Sequence, residues 1–286
     1  MSDQSRSEMS VRSRDMKDFY ESRVWKSHRI CNPYEVVRFR HILDFLGTES
    51  ADTVLDAGCG GGTYTRILAR AQLLIAVDVS TNAVKTAKKG MVSEANVFFI
   101  VCDLEHLPIG DMAVDKIACI DVLEHVERPQ KAVNEISRIL RSNGQVLLFT
   151  ACGENRFTLE YMLKPFFGKL INSIRSTLGH VSIFTTQSVR RMLSQDFKIA
   201  HIEYMHHWVG WLFKFCWDAT HLNSLEGHQT QFEPSASSLS RILWLPLEAE
   251  YKLFKHGSHG SEIIVHATKK ERGLNKLSNQ LQSVRA

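Results

Sequence analysis

The sequence lacks the cysteine patterns that mark zinc sites and disulfide-rich folds. Its six cysteines stand at positions 31, 59, 102, 119, 152 and 216, and none forms a Cys-x-x-Cys pair. This distribution predicts reduced cysteines in a cytoplasmic protein rather than a metal framework or a disulfide scaffold. The opening MSDQSRSEMSVRSRDMKD has no apolar core, so we expect no secretory signal within it.

A concentration of charge of one sign is also missing. The 35 Lys and Arg residues are mixed with 31 Asp and Glu, the formal net charge is +4, and no long basic run occurs. A positive stripe for nucleic acid is therefore not indicated. The chain has no internal repeat, and 286 residues with 44% hydrophobic content are enough for one large core. We expect one fold with insertions.

Short apolar runs alternate with amphipathic stretches through the middle of the chain. The apolar runs are TVLDAG, LLIAVDVS, VFFIVCDL, KIACIDVL and QVLLFTAC, and the helix-like stretches are TYTRILARA, TNAVKTAKKGM and PQKAVNEISRIL. Pro129 suits the first turn of a helix, and Asn143-Gly144 predicts a stop before the fifth strand. Strands that are apolar on both faces and alternate with helices predict a doubly wound α/β fold with a mostly parallel sheet.

The segments outside this alternation have other compositions. Residues 1–15 are polar and expected to be disordered, residues 16–48 have the spacing of helices, and residues 271–286 form a tail. The core of the fold is expected over 49–205 and 260–270.

Four glycines occupy five positions in VLDAGCGGGTYT, directly after the first apolar run. There the chain turns from strand to helix, and a ligand that touches the backbone would be obstructed by a Cβ. Asp78 follows Gly58 by twenty positions and ends the second strand, where a carboxylate accepts hydrogen bonds from ribose hydroxyls. Thr63 replaces the third glycine of a dinucleotide motif, and the Gly-Lys-Ser/Thr of a P-loop is absent. Neither a nicotinamide dinucleotide nor a nucleoside triphosphate is therefore favoured.

Five motifs in a fixed order resemble those of class I S-adenosylmethionine-dependent methyltransferases, in particular the small-molecule branch that includes ubiquinone-biosynthesis O-methyltransferases. They are DAGCGGG, VDVS, CDLEHLP, DVLEHV and RILRSNG, within residues 50–152. The resemblance implies a seven-stranded Rossmann-like sheet, whose last two strands run in opposite directions, and S-adenosylmethionine as the cofactor. It also implies the cofactor-binding residues: Asp56, Gly58, Gly60 and Gly62 in the turn against the methionine part, Asp78 and Val79 at the ribose, Asp103 and Leu104 at the adenine, and Asp121 beside the sulfonium.

A methyl group on a sulfonium is already activated, so such an enzyme mainly orients the acceptor and excludes water. An oxygen acceptor must also lose a proton. Asp121, Glu124 and His125 in DVLEHV share one face if the segment is helical, and we take Asp121 and His125 as candidate catalytic residues, with His125 as the general base. His180 in GHVSIFT is a second candidate base, and a purely structural role for it is equally open.

In the quinone branch of the resembling family, a similar trio of an acidic residue, Glu and His is associated with a divalent metal. This sequence has Asp121 where that branch tends to have Glu. We favour the interpretation in which Glu124 and His125 only orient the loop. A divalent metal is therefore not part of the predicted site.

Two insertions, 153–185 and 206–259, leave the carboxyl edge of the expected sheet and are predicted to form a lid over the acceptor. The second contains HHWVGWLFKFCWD and RILWLPLEAEYKLFKHG. About a dozen apolar residues are too few to cross a bilayer. The mixture of Trp, Phe and Lys suits a segment at a membrane interface or the wall of an apolar acceptor tunnel, and a lid helix packed into the core is equally open.

The sequence thus predicts S-adenosylmethionine-dependent methyl transfer to a small apolar or lipid-like acceptor, at oxygen in preference to carbon or nitrogen. The protein is expected to be cytoplasmic, with peripheral membrane contact left open. The alternatives are methylation of a soluble natural product or a protein side chain, and a non-catalytic membrane-associated scaffold that keeps the cofactor pocket. The intact glycine turn with Asp78 and Asp103 argues against the scaffold, which has no need of an open ribose site.

Overall fold

The computed structural model describes residues 17–23, 25, 33–47, 52–153, 155–220, 238–257 and 260–271. Four predicted features lie partly or wholly outside the described residues. They are the disordered N-terminus at 1–15, residues 16, 24, 26–32 and 48 of the predicted N-terminal helices, the C-terminal tail after residue 271, and residues 221–237 and 258–259 of the second insertion.

One sheet of seven strands organises the described residues. The strands are β1 (Thr53–Ala57), β2 (Leu73–Asp78), β3 (Val97–Val101), β4 (Val114–Ile120), β5 (Leu140–Ala151), β6 (Phe197–Met205) and β7 (Glu262–Lys269). Their order is β3-β2-β1-β4-β5-β7-β6. Strands β1 to β5 pair in parallel, and β7 runs antiparallel to both β5 and β6. This confirms the predicted doubly wound, mostly parallel sheet and its opposed final pair.

Helices cover both faces of this sheet. They are α1 (Pro33–Leu46), α2 (Thr65–Leu68), α3 (Thr81–Lys89), α4 (Pro129–Ile139), α5 (Leu159–Leu178), α6 (Thr186–Leu193), α7 (Trp208–Thr220) and α8 (Ser238–Phe254), with a helical turn at 17–21 and a 3-10 turn at Leu123–His125. Helix α4 begins at Pro129, as predicted. The predicted stop at Asn143-Gly144 is wrong, because β5 already starts at Leu140. Asn143 has a φ of 62° inside the strand, and the pairing with β4 skips from Leu140 to Gln145.

Two apolar clusters form because successive strand residues face opposite sides of the sheet. Leu55 belongs to the cluster under α4, which contributes Ile136. The adjacent Val54 belongs to the cluster under α1 and α8, which contribute Ile42 and Leu247. The central strands are therefore covered on both faces, which explains their continuous apolar sequences.

The two predicted insertions supply α5, α7 and α8. Helix α5 is interrupted at Phe167, whose φ is −116°, two residues after Pro165. Trp211 of α7 donates from Nε1 to Glu160 of α5 at 3.1 Å, which joins these two helices. Helix α8 packs instead on the sheet face beside α1, where Tyr251 is buried. In the described part of the chain, every helix is too short or too polar to cross a membrane.

Helix α7 begins against a carboxylate from α8. Glu250 accepts the N–H of Val209 at 2.6 Å with one oxygen and the N–H of Gly210 at 2.8 Å with the other. Amides in the first turn have no acceptor within their own helix, and a negative charge beside them is favourable for the helix dipole. Glu250 is itself buried, so water does not replace these bonds.

Replacing Glu250 with Ala should lower the free energy of unfolding by about 1–2 kcal/mol, the usual effect of losing a helix cap. Urea denaturation followed by circular dichroism measures it. Glu248→Ala is the matched control, because Glu248 lies on the same helix, has a side chain that is 40% exposed, and pairs with Lys252 at 2.9 Å. The control should lose about 0.5 kcal/mol or less. Equal losses in the two variants would contradict the capping role.

Candidate active site

A cavity opens at the carboxyl ends of β1, β2 and β4, beside the glycine-rich turn, and we call it the turn cavity. It holds about 1280 Å³ of empty space that is open to solvent. The predicted site residues in its lining are Gly58, Gly60, Asp78, Val79, Asp103, Leu104, Asp121 and His125.

The glycine-rich turn is packed tightly against its protein neighbours. The N–H of Gly58 donates to the carbonyl of Val77 at 2.9 Å, which fixes the turn to β2. Gly58 has a φ of 86°, and a Cβ there would lie 2.3 Å from Val122. Gly60 has a φ of 50°, and its Cβ would lie 3.1 Å from the ring of Trp25. Glycine is therefore required by this packing as well as by the space that it leaves in the cavity.

Asp56 and Gly62 support the turn from behind and are absent from the lining of the turn cavity. Asp56 is 3% exposed and accepts the hydroxyl of Thr65 at 2.7 Å, which fixes the start of α2. Burial raises the pKa of Asp56 to about 7. Gly62 has a φ of 89° and lies against Ala87 of α3. Both residues therefore shape the turn without facing the cavity.

Asp78 ends β2 and presents its carboxylate to the cavity. One oxygen accepts the N–H of Ser80 at 2.9 Å, and the other accepts the N–H of Gly60 at 2.8 Å. Ser80 caps α3 by accepting the N–H of Ala83 at 3.1 Å, so Asp78 is not needed as the helix cap. The backbone N–H of Val79 also bonds this carboxylate, and a lone pair that remains can accept a hydrogen bond from a hydroxyl of a diol.

The loop after β3 forms another wall of the turn cavity. Asp103 accepts the N–H of Glu105 with Oδ1 at 2.9 Å, which closes a local turn. Leu104 is 7% exposed and contributes apolar surface beside Val79. An apolar slot with a carboxylate at its edge suits a flat ring that carries polar substituents.

Asp121 is held by an arginine from the N-terminal part of the chain. Its φ is 55°, and its two oxygens contact the guanidinium of Arg38 at 2.9 and 3.1 Å. The same guanidinium donates to Glu262 at 2.8 Å, and Glu262 lies 3.2 Å from Nε2 of His206. Burial acts to raise the pKa of Glu262, but the charges of His206 and Arg38 lower it well below its usual range.

The predicted common face of Asp121, Glu124 and His125 is not formed. Asp121 precedes the 3-10 turn and has a positive φ, which directs its carboxylate to Arg38. Glu124 is 2% exposed and accepts the hydroxyl of Thr150 at 2.9 Å, so it ties the turn to β5. Burial raises the pKa of Glu124 to about 7. Asp121 and His125 therefore reach the turn cavity from separate positions, and Glu124 lies behind it.

His125 is oriented by a hydrogen bond between Nδ1 and the carbonyl of Gly179 at 3.0 Å. A carbonyl only accepts, so Nδ1 carries the proton and Nε2 keeps its lone pair. Burial lowers the pKa of His125, so the ring is neutral at pH 7. The ring meets Tyr20 edge to face with centroids 5.5 Å apart, and it meets His180 at 5.0 Å.

His180 lies in the wall of a second cavity, of about 640 Å³, which we call the lid cavity. It is bounded by α5, α7 and the ends of β5 and β7. Its lining includes Ile171, Ile174, Leu178, Ile183, Trp211 and Phe215, together with the polar Ser182, Lys214 and Glu262. The rings of His125 and His180 touch, and Asp121 and Glu262 share Arg38. The two cavities therefore adjoin at these pairs.

Sequence reasoning missed the N-terminal wall of the turn cavity. Tyr20 and Trp25, from the helical turn and the residues after it, contribute to the lining. The hydroxyl of Tyr20 donates to the carbonyl of Gly179 at 3.3 Å, and Glu21 accepts the hydroxyl of Ser80 at 3.0 Å. The spacing of aromatic residues predicted a helix here. That spacing does not indicate which surface of the protein the helix covers.

The structure also brings Glu124, His125 and His180 together, with one possible ligand atom of each within 4.8 Å of the others. One carboxylate and two imidazoles are donors that divalent metals accept. This set differs from the predicted trio, because His180 takes the place of Asp121, which Arg38 holds elsewhere.

Comparison with known sequences gives a consistent result for the core of the chain. Residues 55–148 match the family described as "Methyltransferase domain". A ubiquinone biosynthesis O-methyltransferase of Nitrosomonas europaea is 28% identical over 121 residues, which cover 40% of this chain and 50% of that protein. The chain spans about half the length of the curated relatives that it matches first.

Solved structures share the fold at lower identity. The YcgJ protein of Bacillus subtilis has a TM-score of 0.55 and 20% identity, over 83% of this chain and 100% of that one. The N-methyltransferase NodS of Bradyrhizobium japonicum, solved with S-adenosylhomocysteine, has a TM-score of 0.52 and 13% identity, over 84% of this chain and 89% of that one. The strand order, the glycine-rich turn and these matches together show that the chain has the class I S-adenosylmethionine-dependent methyltransferase fold, and that residues 55–148 are similar to the methyltransferase domain family.

Proposed function

We propose that the chain transfers a methyl group from S-adenosylmethionine in the turn cavity to an oxygen atom of a small apolar acceptor in the lid cavity. The observation that carries this proposal is the junction of the two cavities at His125 and His180, whose ring centroids are 5.0 Å apart. At such a junction a donor and an acceptor approach each other inside the protein, and their relative orientation is fixed by the walls.

The turn cavity offers a partner for each part of the cofactor. Asp78 is placed for the ribose diol, Asp103 and Leu104 for the adenine, and Asp121 for the positively charged methionine end. S-adenosylmethionine, when bound, supplies an electrophilic methyl group on a sulfonium. The carboxylates of Asp78 and Asp121 are held before the ligand arrives, so little ordering is needed on binding.

His125 would remove the proton from the acceptor hydroxyl. As the bond from oxygen to the methyl carbon forms and the bond from sulfur to that carbon breaks, the hydroxyl proton moves to Nε2 of His125. The carbonyl of Gly179, which accepts from Nδ1 at 3.0 Å, keeps the ring in the tautomer that this step needs and stabilises the resulting imidazolium. His180 borders the same junction from the acceptor side.

The lining of the lid cavity favours an apolar acceptor. Trp211 is 6% exposed and stacks on Phe215 with centroids 4.7 Å apart, which gives the cavity a rigid aromatic wall. Its polar side chains include Ser182, Lys214 and Glu262, together with the ion pair between Glu160 and Arg175. An acceptor with an apolar body and a polar reacting end fits this distribution. Oxygen as the acceptor atom is supported by the curated relatives, which are named ubiquinone biosynthesis O-methyltransferases.

The outer surface of the same lid is also apolar. Its exposed large side chains on α5 and α7 are Met162, Phe166, Phe167, Trp208, Leu212 and Phe213, of which Phe166 is 80% exposed. Tryptophan and phenylalanine together with an exposed lysine, here Lys169, suit a surface at a membrane interface. We propose that this face rests on a lipid surface and that the apolar acceptor enters the lid cavity from it.

The cofactor assignment predicts that Asp78→Ala weakens the binding of S-adenosylhomocysteine by about 2 kcal/mol or more, a factor of about 30 in Kd. The reason is that charge-assisted hydrogen bonds to the ribose are lost. Isothermal titration calorimetry measures the affinity, with NADH as the control ligand. Asp44→Ala, on the exposed side of α1, is the matched control and should bind as the parent does. Unchanged affinity in Asp78→Ala would remove the ribose assignment.

The general-base assignment predicts that His125→Gln lowers kcat about 10²- to 10⁴-fold and leaves the affinity for S-adenosylhomocysteine within a few-fold. The assay follows transfer of a radiolabelled methyl group to a panel of apolar phenols. His125 acts when neutral, and burial lowers its pKa below 6.5, so kcat/KM should be level at neutral pH and fall only in more acidic buffer. The exposed His106→Gln serves as the control.

Two outcomes would count against the reaction as proposed. If His125→Gln keeps the parent kcat and the same fall of kcat/KM in acidic buffer, this residue is not the base. Tight binding of S-adenosylhomocysteine by the parent chain without transfer to any acceptor in the panel would favour a non-catalytic scaffold instead.

The interface assignment predicts that the double variant Phe166→Ser, Trp208→Ser binds anionic liposomes about tenfold or more weakly in a sedimentation assay. The reason is that two large apolar side chains are no longer transferred from water into the lipid. The matched control is Phe98→Ser, since Phe98 is 57% exposed on β3 at the other end of the sheet. Both proteins should keep the parent affinity for S-adenosylhomocysteine. Equal sedimentation of the double variant and the control would show that the lid face does not meet the lipid.

A further inference from the structure

Three histidines meet on the sheet face under α1 and α8, apart from both cavities. His41 lies on α1, His201 on β6 and His266 on β7, and we call them the histidine cluster. Each offers a ring nitrogen within 4.8 Å of the others. His201 and His266 are direct partners across the two strands, and a shift of register between Ile199 and His201 sets this pairing. Such irregularities re-aim a side chain relative to its strand.

The spacing of two of these rings is close to that of metal ligands. Nδ1 of His41 lies 3.0 Å from Nε2 of His266. Two nitrogens bound at about 2.0–2.1 Å to one tetrahedral zinc ion are about 3.3 Å apart, so this pair is nearly in place. His201 stacks on His266 with centroids 4.4 Å apart, and its side chain is 48% exposed. It can therefore rotate toward the pair without displacing packed atoms.

A buried carboxylate supports the other side of His41. Nε2 of His41 lies 3.3 Å from Glu203 and 3.0 Å from the hydroxyl oxygen of Tyr251. When Nε2–H donates to Glu203, Nδ1 keeps its lone pair and faces His266. A carboxylate that orients a histidine in this way is the usual outer partner of a metal-bound imidazole. Lys255 contacts Glu203 at 3.3 Å and helps to hold that carboxylate in place.

We propose that the histidine cluster binds one divalent transition-metal ion, best matched by zinc, through Nδ1 of His41, Nε2 of His266 and a ring nitrogen of His201. A water molecule would complete the tetrahedron, as in zinc sites that have three protein ligands. Nitrogen donors favour such an ion over Mg²⁺ and Ca²⁺, which prefer oxygen. His266 is four residues along β7 from Glu262 of the lid cavity, about 13 Å away, so the site is separate from the proposed reaction.

The test is zinc binding to the EDTA-treated full chain, measured by titration calorimetry against a competing chelator. We expect one equivalent of Zn²⁺ and, with Co²⁺ instead, the absorption bands of a tetrahedral ion. His266→Gln and His201→Gln should each lower the affinity for Zn²⁺ at least tenfold. Glu203→Gln should lower it about 10- to 100-fold, because the carboxylate that orients His41 is lost. His201→Gln keeps the test valid if His266→Gln does not fold, because His201 is half exposed.

The matched control is His125→Gln, which alters another group of possible ligands, Glu124, His125 and His180. It should keep one equivalent of Zn²⁺ at the parent affinity. Loss of binding in His125→Gln with normal binding in His201→Gln would place the ion at the active site and overturn the proposal. Binding only at millimolar Zn²⁺, or binding that is unchanged in His201→Gln, would leave the histidine cluster as a hydrogen-bonded contact between α1 and the sheet, and would overturn it equally.

Discussion

Both cavities depend on the guanidinium of Arg38, which lies between two carboxylates inside the protein. Its side chain is 13% exposed and bonds Asp121 after β4 and Glu262 at the start of β7. Two carboxylates so close to each other and so far from water would repel and would be costly to ionise. The cation from α1 stabilises both, and it also holds Asp121 at a φ of 55°, which a residue other than glycine adopts only when its surroundings require it. A helix from the N-terminal extension thus fixes the carboxyl edge of the sheet.

The same burial that requires Arg38 sets the protonation of the groups around the junction. Burial lowers the pKa of His125 and holds that of His180 well below its usual range, so both rings are neutral at pH 7. It has the opposite effect on Glu124, whose pKa rises to about 7. A neutral imidazole can take up a proton. Tyr20 lines the turn cavity beside His125, and Trp211 lines the lid cavity beside His180.

The fold could be predicted because its signals are local. Strands that are buried on both faces alternate with amphipathic helices, and the chain order places the glycine turn and Asp78 at the ends of β1 and β2. Arg38 could not be predicted, since it is 83 residues from Asp121 and no pattern within α1 shows which carboxylate it meets. The prediction that Asp121 and His125 share one helical face was wrong for a different reason. Residue spacing assumes helical dihedral angles, and Asp121 lacks them because Arg38 holds it in another conformation.

Helix α8 links the lid to the sheet face beside α1, which gives the second insertion a part in the fold beyond lining the lid cavity. Glu250 accepts the first amides of α7 at 2.6 and 2.8 Å, and the next residue, Tyr251, bonds Glu203 and lies 3.0 Å from His41. Consecutive residues of a helix point about 100° apart, so one turn of α8 contacts both neighbours at once. The helix that carries Trp211 is therefore capped by a helix whose next residue contacts the histidine cluster. The aromatic wall of the lid cavity is in this way joined through α8 to the sheet face that carries the histidines.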